Sequence, residues 1–124
     1  MNLIEEYLDN IENMKLSLDD YGDKGKVRKS NKLADRNIKI VELINHQPEL
    51  IMKFVSLLDS EDIEVRAWVA HHVIERMNLD KSIRLKALRE IEDESINHPD
   101  SQKRLGTKMW LEQYYKANPD DKLR

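Results

Sequence analysis

Between residues 2 and 117 the apolar side chains return every third or fourth position, and turns rich in Asp, Asn, Gly and Pro cut them into runs. That spacing is the helical period; a half-buried strand would alternate with period two. The first run sets Ile4, Tyr7, Leu8, Ile11, Met14 and Leu18 on one stripe. A second uses Val27, Ala34, Ile38, Val41 and Ile44, flanked by Leu33, Ile40 and Leu43. Asp20 to Gly25 is the clearest loop between them. Pro48 suits the first turn of a third helix, where its missing N–H costs nothing. In that short helix Leu50, Ile51, Phe54, Val55, Leu57 and Leu58 cover much of the circumference, which predicts the most buried element. Asp62, Asp80 and Asp100 each stand just before a further run and are expected N-caps. The helices they open run over 63–77, 81–94 (Ile83, Ala87, Leu88 and Ile91 inward) and 101–117. The expectation is an all-α chain of six helices, with residues 1–118 as one domain and 119–124 as a frayed tail.

Composition narrows the chemistry. The 124 residues include no cysteine, which removes disulfides, thiolate nucleophiles and Cys-based zinc sites. No apolar run approaches the roughly 20 residues that span a bilayer. The acidic, amphipathic N-terminus resembles neither a secretory signal nor a transit peptide. A soluble cytoplasmic protein is expected. Net charge is −3, but its distribution is uneven. Residues 1–23 carry seven acids against Lys15, and residues 24–39 carry seven bases against Asp35. Such neighbours attract each other across an antiparallel helix pair; the sharper reading makes 24–39 a binding patch.

Shifted by 38 residues, the segment 62–75 falls on 100–113, with Asp62 on Asp100, Arg66 on Arg104 and Val73 on Leu111. The opposite shift sets Val65-Arg66 on Val27-Arg28. A period near 40 residues with two helices per unit predicts a helical solenoid. Leu57 to Ile74, "LLDSEDIEVRAWVAHHVI", resembles a HEAT repeat: a leucine-rich first helix, an Asp-containing turn, then Val-Arg and small residues on the second helix. Leu57-Leu58, Asp59, Asp62, Val65-Arg66, Ala67, Ala70 and Ile74 occupy those places. Ile63 stands where such repeats often carry Pro, and Gly106 and Lys108 replace small apolar positions further on. With "NKLADRN" (Asn31 to Asn37) upstream and "MWLEQYY" at the end, residues 25–117 are similar to a small bacterial HEAT-like family known only as a domain of unknown function, number twenty-nineteen. That resemblance implies a short right-handed α-α superhelix (a HEAT-like solenoid) of about three antiparallel helix pairs, and no established activity. Its structural signature would be Asp62, Val65, Arg66, Ala70, Asp100 and Arg104. In HEAT-like stacks the turn Asp and the helix Arg can pair, so Arg66 or Arg104 is expected on a loop carboxylate such as Asp62 or Asp100.

The adjacent His71 and His72, with Glu75 downstream, invite a metal or catalytic reading. Consecutive helical residues point about 100° apart, so the two rings do not readily share an ion. The spacing is not HExxH, and the other histidines, His46 and His98, lie beside loop prolines. One His is expected packed and the other solvated. Gly22 and Gly25 sit in a plain turn, not a phosphate loop, and no Ser stands in a nucleophile elbow. No catalytic residue, cofactor or metal site is therefore expected. The leading expectation is a non-catalytic protein-binding module, an immunity, inhibitor or adaptor protein, as a monomer or weak dimer. Its binding face would be the second-helix row with Trp68, His71, His72, Arg76, Trp110 and Tyr114. Its acidic patches would suit a basic protein partner. The alternative is nucleic-acid binding through the basic segment 24–39, against which the net acidic balance speaks.

Overall fold

The computed structural model describes residues 2–17 and 24–122. Leu18 and most of the loop expected over residues 20–25 lie outside them. Six α-helices are found among the described residues, and no strand: α1 (Leu3–Ser17), α2 (Lys24–Asn45), α3 (Pro48–Val55), α4 (Ile63–Arg76), α5 (Lys81–Asn97) and α6 (Ser101–Ala117). Short 3-10 turns follow α3 at Ser56–Asp59 and α6 at Pro119–Asp121. The expected all-α architecture is present. None of the described helices is long and apolar enough to cross a membrane. The chain forms two compact units, Met1–Phe54 and Val55–Arg124.

In the first unit α1 packs along α2. Tyr7, Ile11 and Met14 of α1 are buried, as are Ile40, Val41 and Ile44 of α2. Phe54 of α3 meets Tyr7 edge-on, with ring centroids 5.0 Å apart. The core also holds a polar pair that periodicity does not reveal. Asn10 Nδ2 donates to Asn37 Oδ1 at 2.8 Å, and Asn37 Nδ2 donates to the Tyr7 carbonyl at 3.1 Å. Among the described residues the opposite charges of the first two segments meet in a bidentate pair, Arg36 to both oxygens of Glu6 at 2.7 and 3.0 Å. Two expectations fail here. Val27 and Leu43 are exposed, because the inward stripe of α2 is centred on Asn37, Ile40, Val41 and Ile44. α3 is not the most buried element: Met52 is exposed and Leu50 and Ile51 are half-buried.

In the second unit α5 packs against both α4 and α6. Val65, Val69, Ala70 and Val73 of α4, Ala87, Leu88 and Ile91 of α5, and Thr107 and Leu111 of α6 are buried. All three expected caps are made. Asp62 accepts from the Glu64 N–H, Asp80 from Ile83 and Asp100 from Gln102. The junctions before α4 and α6 share their cap and two further bonds at the 38-residue shift. Asp62 N–H donates to Ser60 Oγ, and Asp100 N–H to His98 Nδ1. Arg66 Nη1 donates to the Ser60 carbonyl at 2.6 Å, and Arg104 Nη1 to the His98 carbonyl. The arginines therefore do not pair with Asp62 or Asp100. Those carboxylates already face their own helix N-termini, while the loop carbonyls point outward and accept from a guanidinium. Arg66 reaches past the loop to Glu90 at 3.1 Å on α5.

Residues from 119 onward are expected to fray; instead, Pro119–Asp121 closes a turn. Arg84 holds Asp121 with two bonds of 2.9 and 3.0 Å, and Tyr114 OH donates to Asp121 at 2.7 Å. Together they keep the Asp121 carboxyl below its ordinary range. The Tyr114 phenol is pushed up to about 12, by burial first and by Asp121 second.

Candidate functional site

Two stripes of the same spacing face each other in the second unit. On α4 they are Glu64, Trp68, His71 and Glu75; on α6, Lys103, Thr107, Trp110 and Tyr114. Lys103 Nζ reaches both oxygens of Glu64 at 3.0 and 3.1 Å. The Trp110 ring stands edge-on to His71, with centroids 4.9 Å apart. Both contacts join residues 39 apart, so α4 and α6 run parallel, side by side. Each stripe steps by four, three and four residues, which keeps it on one helix face.

An aromatic ladder follows from this register. Trp110 meets His71 at one edge and stacks on Tyr114 at the other, 5.2 Å between centroids and 9° from parallel. Tyr114 continues to Tyr115 at 5.8 Å. The Trp110 indole N–H donates to Glu75 Oε1 at 2.9 Å, which fixes the ring across the two helices. Trp68 lies 5.7 Å from the His72 ring, one turn along α4.

Beneath the ladder lie two carboxylates engaged by histidines. His98 Nδ1 accepts from the Asp100 N–H, so the ring proton sits on Nε2, which donates to Glu64 Oε1. Glu94, buried, accepts from Thr107 Oγ1, and His71 Nε2 lies 3.3 Å away. Burial pushes the Glu94 carboxyl up, but the hydrogen bonds from His71 and Thr107 outweigh it, and the group lies below its ordinary range. Burial drives His72 the other way, down to about 4, aided by the neighbouring His71 and Arg76 side chains.

These side chains enclose a groove of about 260 Å3, walled by Ala67, Trp68, His71 and His72 and edged by Glu64, Glu75, Glu94 and Lys103. Of three larger concavities, one of about 370 Å3 borders the ladder at Glu75, Trp110 and Tyr114, and two hold less free chemistry. One, of about 660 Å3, lies beside the closed Arg84–Tyr114–Asp121 cluster. The other, of about 700 Å3, runs past Ile96 and Leu111, and its Glu92 accepts from Tyr115 OH. Among the described residues no three His, Asp or Glu side chains are grouped to hold a metal ion.

Of the expected face, Trp68, His71, Trp110 and Tyr114 come together, each half-buried, with part of the residue left to solvent. Arg76 is exposed in the last turn of α4. His72 departs from the expectation: only 4% exposed, it backs Trp68 from inside because its position points about 100° away from His71. His71 is not simply solvated either, since it reaches Glu94. Val65 and Ala70 of the signature are buried in the core. Sequence reading did not place Glu64, Glu94, His98, Lys103 or Thr107 on this face. Their signal was available in the 39-residue offset between the two polar-aromatic stripes, visible only once α4 and α6 are taken as parallel neighbours. No protein-family model, curated protein or solved structure matches the chain.

Proposed function

We propose that this chain is a non-catalytic protein-binding module of the HEAT-like kind, acting as an immunity, inhibitor or adaptor protein. What carries the reading is the ladder of His71, Trp110 and Tyr114 with Trp68 beside it, displayed across two parallel helices and bordered by Glu75. Half-buried Trp and Tyr, held by neighbours and still touching solvent, are the side chains that dominate binding centres. The parallel pairing of α4 and α6 and the repeated junctions at a 38-residue shift support a solenoid-type stack, whose successive second helices form such faces. Nucleic-acid binding through 24–39 has less support, because Arg36 in that segment is held by Glu6.

The test is capture of partners from the protein's own cells, with wild type, Trp68→Ala and Trp110→Ala run side by side. The expected result is one stoichiometric protein retained by wild type and lost from both variants, whose melting and circular dichroism show them folded. Retention unchanged in both, or nucleic acid as the sole co-eluting species, would overturn the reading.

A further inference from the structure

We propose that the groove beside Trp68 is a socket for one arginine side chain of a protein partner; the inference rests on the protein-binding reading and specifies its anchor. The groove, at about 260 Å3, lies below the ~300–1,000 Å3 of ordinary ligand and cofactor pockets. It suits the end of a single long side chain. Its walls are apolar and aromatic, and its edge carries three carboxylates against one lysine.

The three carboxylates are not equivalent. Glu64 is engaged by His98 and Lys103, and Glu94 by Thr107 and His71. Glu75 is exposed, and its bond is to a neutral donor, the Trp110 indole on Oε1. No ion pair reaches it from the described residues. Glu75 lies two helical turns beyond Trp68 and one beyond His71, on the same face of α4. What this edge lacks is a cation.

A metal ion is a poor fit. Glu64 and Glu75 are eleven residues apart on one helix, about 16 Å along its axis, and the described residues hold no three-ligand cluster. An arginine fits every element. Its methylene stem packs on Ala67 and Trp68, its planar guanidinium lies on an indole face, and its N–H groups reach the open oxygen of Glu75. A lysine ammonium, compact and strongly hydrated, gains less from the same walls. Phosphate or nucleic acid has the wrong sign for this edge.

The test uses the full chain and three short neutral-capped peptides that differ at one central position: arginine, lysine or citrulline. The readout is the two indole N–H resonances, which belong to Trp68 and Trp110, at constant chloride. The arginine peptide should shift both in a saturable way, with citrulline inert and lysine several-fold weaker. Glu75→Gln, an exposed change that leaves the core alone, should weaken the arginine peptide about tenfold, the ratio given by losing one charged partner. Trp68→Leu should weaken it independently. No saturable shift below roughly 20 mM, equal binding of citrulline, or full binding by Glu75→Gln would overturn the socket. Partner capture separates the two ideas. A partner still lost on Trp110→Ala while the arginine peptide is inert leaves the module reading standing and removes the socket. An arginine-selective groove with no captured protein does the reverse.

Discussion

His71 and His72 are neighbours in sequence and opposites in environment. A rotation of about 100° per residue leaves one ring half-buried at the groove's edge and the other buried against Trp68. The sequence shows that they diverge, but not which goes inward, because that depends on which face of α4 its neighbours cover. The buried member has a measurable consequence. His72 has its pKa pushed from the ordinary 6.5 down to about 4. Above pH 6.5 neither state binds the proton. Between 6.5 and 4 the unfolded chain takes it up and the folded chain does not. Stability is therefore lost as pH falls through that window, with a slope approaching roughly 1.4 kcal/mol per pH unit. Glu94, held below its ordinary range, adds a loss of the same sign at the acid end of the window. His72→Phe keeps a ring against Trp68 and removes the titration. Its urea midpoint, followed by tryptophan fluorescence, should change less than wild type between pH 7 and 5. An equally steep decline in the variant would assign the loss to other groups.

Caps are the most legible feature of the elements, because a cap is local chemistry. Asp62, Asp80 and Asp100 announce themselves by position and bond the N–H two or three residues on. What the cap carboxylate leaves over was not legible. Arg66 and Arg104 were expected to find an acid in the turn, but that acid is turned toward its own helix, so the loop carbonyl takes the guanidinium. The same limit explains Asn37, a buried polar side chain whose partners lie 27 and 30 residues away. If the two junctions are repeats in energy as in geometry, Asp62→Ala and Asp100→Ala should each cost about 1 kcal/mol. Arg66→Ala should cost more, about 1.5–3 kcal/mol, since it leaves both the Ser60 carbonyl and Glu90 without their donor. Arg66→Lys should recover only part of this, because an ammonium cannot serve both acceptors in the same plane. Chemical denaturation of the four variants checks the order. Arg66→Ala no worse than Asp62→Ala would make the guanidinium a surface ornament and not a clasp.

At the scale of the whole chain, the helical period and the turns foretold six helices without a strand, since both are written residue by residue. Which helices become neighbours is written in long-range pairs, and there the reading thinned. The turn at Pro119–Asp121 looks like a polar tail until Arg84, 37 residues upstream, is known to lie beside Asp121. The second unit holds several such long-range clasps within itself: Arg66 with Glu90, Glu64 with Lys103 and His98, Arg84 with Asp121. It also owns both tryptophans and a continuous set of buried aliphatic residues from Val65 to Leu111. A chain of residues 55–124 should therefore fold by itself, with helical circular dichroism and one cooperative melt. At this size a single core rarely supplies more than about 3–5 kcal/mol, so its stability should be modest. Asp121→Ala in that fragment would remove the partner of two half-buried donors, Arg84 and Tyr114, and should lower it by about 1–2 kcal/mol. A fragment with no cooperative transition would show that the clasps are insufficient without residues 1–54. A cooperative fragment indifferent to Asp121→Ala would show that the aliphatic core alone holds it and that the C-terminal turn is incidental.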